Sequence, residues 1–253
     1  ERLHEAFGNF WSQAGLTLQE PERPFIVVIF GDRRRYEEFA TRDLGGAADR
    51  VVGYYNLMSN RVTTFDLTGS DAVARAGGGR GGLDVLASPE AAALVATLVH
   101  EATHQMAFNC GMHRRLAPVP LWLSEGIATY FEAPDLKSRS GWRGLGTVNA
   151  SRFEHFVRTN RPGLLAELVV DDEAFRGASA VDAYAAAWAL TFFLAQTRKP
   201  QLVAYLRTMA AKRPLQADSA DERLRDFKAA FGETPEAVEE AMLKYMARLR
   251  PQP

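Results

Sequence analysis

His100, Glu101 and His104 stand within LVHEATHQM, residues 98–106. Histidines four apart share one face of a helix, so their imidazoles can converge on a single point. The glutamate that follows the first histidine then lies beside the open side of a shared cation. That arrangement suits a hydrolytic zinc, which brings the pKa of a bound water toward about 7 while a carboxylate accepts its proton. The competing reading is a pair of packed structural histidines, since the five-residue pattern also arises by chance. For Glu101 the alternative is an ordinary helix-surface carboxylate.

A catalytic zinc needs a third protein ligand. The continuation HExxHxxGxxH would supply a histidine, but Ala107 stands in its glycine slot and Cys110 in its final histidine slot. The inverted pattern HxxEH is absent. There remains a glutamate on a following helix, and WLSEGIA, residues 122–128, offers Glu125 after a break at Pro118 and Pro120. Thr129, one turn beyond, is placed either to hydrogen-bond a ligand or simply to pack. His113 and His155 read as surface or loop histidines, and Cys110 as a small buried residue.

These segments resemble the gluzincin superfamily of metallopeptidases, and in particular its domain-of-unknown-function proteins. The resemblance lies in VHEATHQ, in PLWLSEGIATYFE and in VDAYAAAWALTFFLAQ. It is specific over Val99 to Glu132, moderate at Tyr184 to Leu194 and general in the N-terminal region. It implies Zn2+ held by His100, His104 and Glu125, with Glu101 as general base in peptide-bond hydrolysis. Tyr184 is a candidate donor to the developing oxyanion. Trp188, Phe192 and Phe193 on the same helix make a buried aromatic the competing reading. The glycine-methionine-glutamate-asparagine type of motif that holds substrate amino termini in related aminopeptidases is missing, so we expect an endopeptidase acting on a peptide or protein. In gluzincins an edge strand in the region of Arg61 to Asp66 pairs with extended substrate; an ordinary internal strand is the other reading. The alternative function is a metal-stabilised binding or scaffold protein that turns over no substrate.

Elements must position these side chains. Ser88-Pro89-Glu90 opens the motif helix, with serine as N-cap and proline at the first helical position, and the helix is expected to end near Asn109. Leu94, Val95, Leu98, Val99, Ala102 and Met106 form its apolar stripe. Leu121 to Glu132 reads as the second site helix. Upstream, Phe25 to Phe30 reads as a buried strand, Asp32 as the cap of a helix to about Ala40, and Val51 to Leu57 with Arg61 to Leu67 as a hairpin. AGGGRGG, residues 76–82, matches GxGxxG but follows no strand, and reads as a loop. Downstream the patterns are helical over 151–159, 181–196, 200–211, 221–231 and 235–250. We therefore expect an α+β, gluzincin-like fold: an N-terminal mixed sheet lobe over 1–88, then a helical zinc-binding and C-terminal lobe over 89–253, together one compact catalytic unit.

At 253 residues with 47% apolar composition, the chain can bury a core without staples. Its 30 Lys and Arg nearly balance 31 Asp and Glu, so no net field draws in nucleic acid or an anionic membrane. A single cysteine excludes an internal disulfide and every multi-cysteine zinc site. No apolar run has the length of a membrane span. The chain starts at Glu1 rather than Met, and we expect a removed upstream piece and an extracytoplasmic or secreted setting.

Overall fold

The computed structural model describes residues 2–69, 89–132 and 147–249. In chain order these form α1 (Arg2–Gln13), β1 (Ile26–Phe30), α2 (Arg33–Leu44), β2 (Gly53–Asn56), β3 (Arg61–Phe65), α3 (Pro89–Asn109), α4 (Leu121–Phe131) and α5 (Ala150–Thr159). Then follow α6 (Leu164–Val170), α7 (Ala180–Thr197), α8 (Lys199–Ala211), α9 (Ala220–Phe231) and α10 (Pro235–Met246). The class is α+β, with a three-stranded mixed sheet near the N-terminus followed by mostly helical chain. Ser88, the glycine-rich stretch 76–82 and most of the loop expected after Pro134 lie outside the described residues. Contacts separate the chain into two units, 21–106 and 1–20 with 107–253. The division falls within α3.

In the 21–106 unit the sheet order is β1-β3-β2, with β1 parallel and β2 antiparallel to β3. Asp32 caps α2 as expected, its carboxylate accepting from the Arg35 amide. Tyr36 and Ala40 of α2 pack with Tyr54 and Phe65 in the unit's core. One strand reading needs correction. Among the described residues β1 is an edge strand, with Ile26 46% and Ile29 52% exposed, so its continuous apolar run does not mark a buried strand. Of the two readings of Arg61 to Asp66 the internal strand holds: β3 is central, with its edges paired to β1 and β2, and cannot add an extended peptide.

The other unit is built on α4 and α7, which are buried along most of their length. Helices apolar on every side belong in such an interior. Trp122 of α4 stacks on Tyr205 of α8 at 5.4 Å, and Phe227 of α9 meets the Trp122 ring edge-on. α1, which its sequence did not announce, sets Phe7 and Phe10 against Phe131 and Tyr130 of α4. The short α6 was also not foreseen; Glu239 of α10 accepts from the Gly163 and Leu165 amides at its start. Ser219 and Glu222 form a reciprocal capping box on α9, and Thr234 with Pro235 opens α10, which ends at Met246 rather than near Arg250. No described helix is long and apolar enough to cross a membrane.

Candidate metal site

His100 and His104 are one turn apart on α3, the first half-buried and the second buried. Their Nε2 atoms lie 3.2 Å apart, with the rings inclined at 76°. As a hydrogen bond, this contact needs one ring to carry its proton on Nε2. As two donors to one cation it needs neither proton. The observed 3.2 Å is close to the roughly 3.3–3.4 Å between two nitrogens bound at about 2.0–2.1 Å in tetrahedral geometry. Glu125 of α4 completes the set: the three residues each offer one ligand atom, all within 4.8 Å of one another. Two imidazoles and a carboxylate fit a divalent first-row metal, and the donor set alone does not choose among them.

The path of α4 through its unit depends on the residue after Glu125. A Cβ at Gly126 would come within 2.2 Å of the Thr191 hydroxyl and 2.7 Å of the Ala187 carbonyl, both on α7. Only glycine permits this close approach. The Thr129 hydroxyl donates to the backbone carbonyls of Glu125 and Gly126 at 2.8 and 3.0 Å.

Glu101 faces the sheet. Its Oε2 accepts a 2.7 Å hydrogen bond from the backbone N–H of Tyr55 in β2. This is one rung of a series: Thr97 lies so close to Gly53 that a Cβ there would come within 2.7 Å of the threonine methyl. Four residues beyond Glu101, Gln105 donates to the Asn60 carbonyl at 2.7 Å and to the Ile26 carbonyl at 3.3 Å. Four helical residues advance roughly 6 Å and two strand residues roughly 6.6 Å, so α3 and β2 stay in step from Thr97 and Gly53 to Glu101 and Tyr55. The charge of Glu101 also adds to burial in pushing the nearby Tyr36 hydroxyl up to about 12. Sequence reasoning found Glu101 but not Tyr55, because the group involved is a backbone amide.

Tyr184 is half-buried on α7, its ring edge-on to Phe175 at 5.4 Å and under the Arg152 guanidinium at 5.9 Å. Arg152 is itself clamped in bidentate fashion by Glu132 at 2.8 and 3.0 Å. His155 is not a bare surface histidine: Nε2 lies 2.6 Å from Asp182, while Nδ1 accepts from Arg158. His113 lies in the loop after α3, as expected, but is buried there, 1% exposed beside Phe108. Cys110 is buried, as expected, and burial beside Glu20 pushes its thiol up to about 11.

Residues 94–216 match a family described as "Protein of unknown function (DUF1570)". The match spans α4, Tyr184 and both histidines, and leaves out the sheet. Its description names no activity and assigns no peptidase family. No curated protein matches the chain.

Proposed function

We propose that the protein is a zinc-dependent peptidase of the gluzincin kind, hydrolysing internal bonds of a peptide or protein. The observation that carries this reading is the convergence of His100, His104 and Glu125, with Glu101 set between the two histidines in sequence. A bound zinc supplies Lewis acidity, polarising a carbonyl and easing ionisation of a water near neutral pH. His100 and His104 act as neutral imidazole donors, and Glu125 contributes the negative charge of the set. Glu101 takes the proton of the attacking water and returns it to the leaving amine. Tyr184 steadies the oxyanion through its hydroxyl.

One observation favours a second reading, a metal-stabilised binding or scaffold protein without turnover: Glu101 is hydrogen-bonded to β2, as a purely structural link would be. Glu101→Gln separates the two. On the peptidase reading it keeps its metal and loses roughly 10²–10⁴ in rate against a peptide library, because glutamine cannot accept the proton. Unchanged turnover removes Glu101 from the chemistry, and absence of turnover in the wild-type, metal-loaded chain leaves the binding reading.

A further inference from the structure

We propose that the backbone N–H of Tyr55 orients the Glu101 carboxylate through its Oε2, making β2 a positioning element for the base. This inference rests on the peptidase reading and deepens it.

A glutamate on a helix has three side-chain torsions, and a base must hold its carboxylate within narrow limits of the productive geometry. The bond from Tyr55 ties Oε2 to a fixed backbone donor at 2.7 Å and so fixes the last torsion. The donor is itself fixed. In the antiparallel pairing Tyr54 stands opposite Thr63 and Tyr55 opposite Val62, so successive N–H groups point alternately toward β3 and away from it. The Tyr55 N–H, given to Glu101, belongs to the outward set. β2 is the edge strand on that side among the described residues. The Tyr55 hydroxyl, bonded to the Asn60 side chain at 2.8 Å, anchors the same residue to the hairpin turn. Gln105 then holds the Asn60 carbonyl from α3.

Gly53 supplies the means of moving β2 without touching the base or a metal ligand. Its missing Cβ is what lets the strand approach Thr97, and Gly53→Ala forces the two apart. The closeness of helix and strand at that point sets the length of the next rung, Tyr55 to Glu101.

Two measurements on the full chain, metal-free and loaded with zinc ion, decide the matter. Amide hydrogen exchange is read at Tyr55, with Tyr54 as the ladder reference. Protection of Tyr55 should fall at least about tenfold in Glu101→Ala while Tyr54 is unchanged. In the second arm, Gly53→Ala should retain zinc and substrate KM but lose about tenfold in kcat, and adding Thr97→Ala should restore most of it. A Gly53→Ala chain that loses stability yet keeps full kcat overturns the proposal, as does equal Tyr55 exchange with and without the Glu101 carboxylate. If the wild-type chain hydrolyses nothing, the peptidase reading falls and there is no base to position; the exchange arm then assigns the contact to structure alone.

Discussion

Gly126 and Thr191 meet so closely that one added methyl carbon at 126 would stand 2.2 Å from the threonine hydroxyl. The neighbouring Ala187 carbonyl, at 2.7 Å, belongs to backbone and cannot rotate away. Gly126→Ala is therefore expected to push α4 off α7, costing about 1–3 kcal/mol despite alanine's better helix propensity. Denaturant unfolding measures this loss. Because Glu125 is the adjacent residue, zinc affinity should fall with it, and Thr191→Ala should rescue only part of either effect. An unchanged midpoint would show that the two helices yield more easily than their packing suggests.

Metal content tests the donor set directly. Elemental analysis of freshly purified protein should find about one divalent metal per chain, and His104→Ala or Glu125→Ala should reduce it to near zero at equal protein concentration, since only two protein ligands remain. Full retention in both variants would place the metal elsewhere.

Tyr184→Phe distinguishes an oxyanion donor from a packed ring. A donor gives a kcat lower by roughly 10²–10³ with KM and zinc content nearly unchanged. A ring needed only against Phe175 and Arg152 keeps its contacts in phenylalanine. Normal turnover would then retire the catalytic assignment.

Alkaline stability follows from burial. Burial pushes the Cys110 thiol up to about 11 from 9.0, and the Tyr36 and Tyr130 hydroxyls up to about 12 from 10.0. Each folded value is raised, so the native chain holds protons that the unfolded chain releases. Their contribution is complete below pH 9.0 and is lost as pH rises through the folded values. Urea midpoints should fall between about pH 8 and about pH 10.5, and Cys110→Ala should shrink the first part of that fall. A flat profile would contradict the buried assignments.

The parts of the fold legible in the sequence were those with side-chain punctuation. Asp32 and Thr234 each mark a helix start by a side chain that bonds the first free amides. α1 carries Gly8 in its interior, and its Phe7 and Trp11 show their purpose only against other elements. β1 misled because an apolar run reports β preference as well as burial, and on an edge strand the two part company. The grouping of His100, His104 and Glu125 was legible because two histidines one turn apart leave a third donor wanting, and the next helix carries a glutamate. The Tyr55 amide was not, since every residue but proline carries one. The loop position of His113 was legible but its burial was not, since a polar residue between helices gives no sign that the Phe108 ring packs on it.

On the proposed reading α3 serves two faces at once, the sheet along Thr97, Glu101 and Gln105 and a cation at His100 and His104. A residue inserted or deleted between 97 and 105 would turn everything downstream by roughly 100°, throwing both faces out of phase together. The spacing of the two histidines is thus guarded by a partner that never touches metal. A descendant that abandoned the cation and replaced either histidine would still be held to the same helical length, and its ancestry would remain visible in the interval between Glu101 and Gln105 after the chemistry had gone.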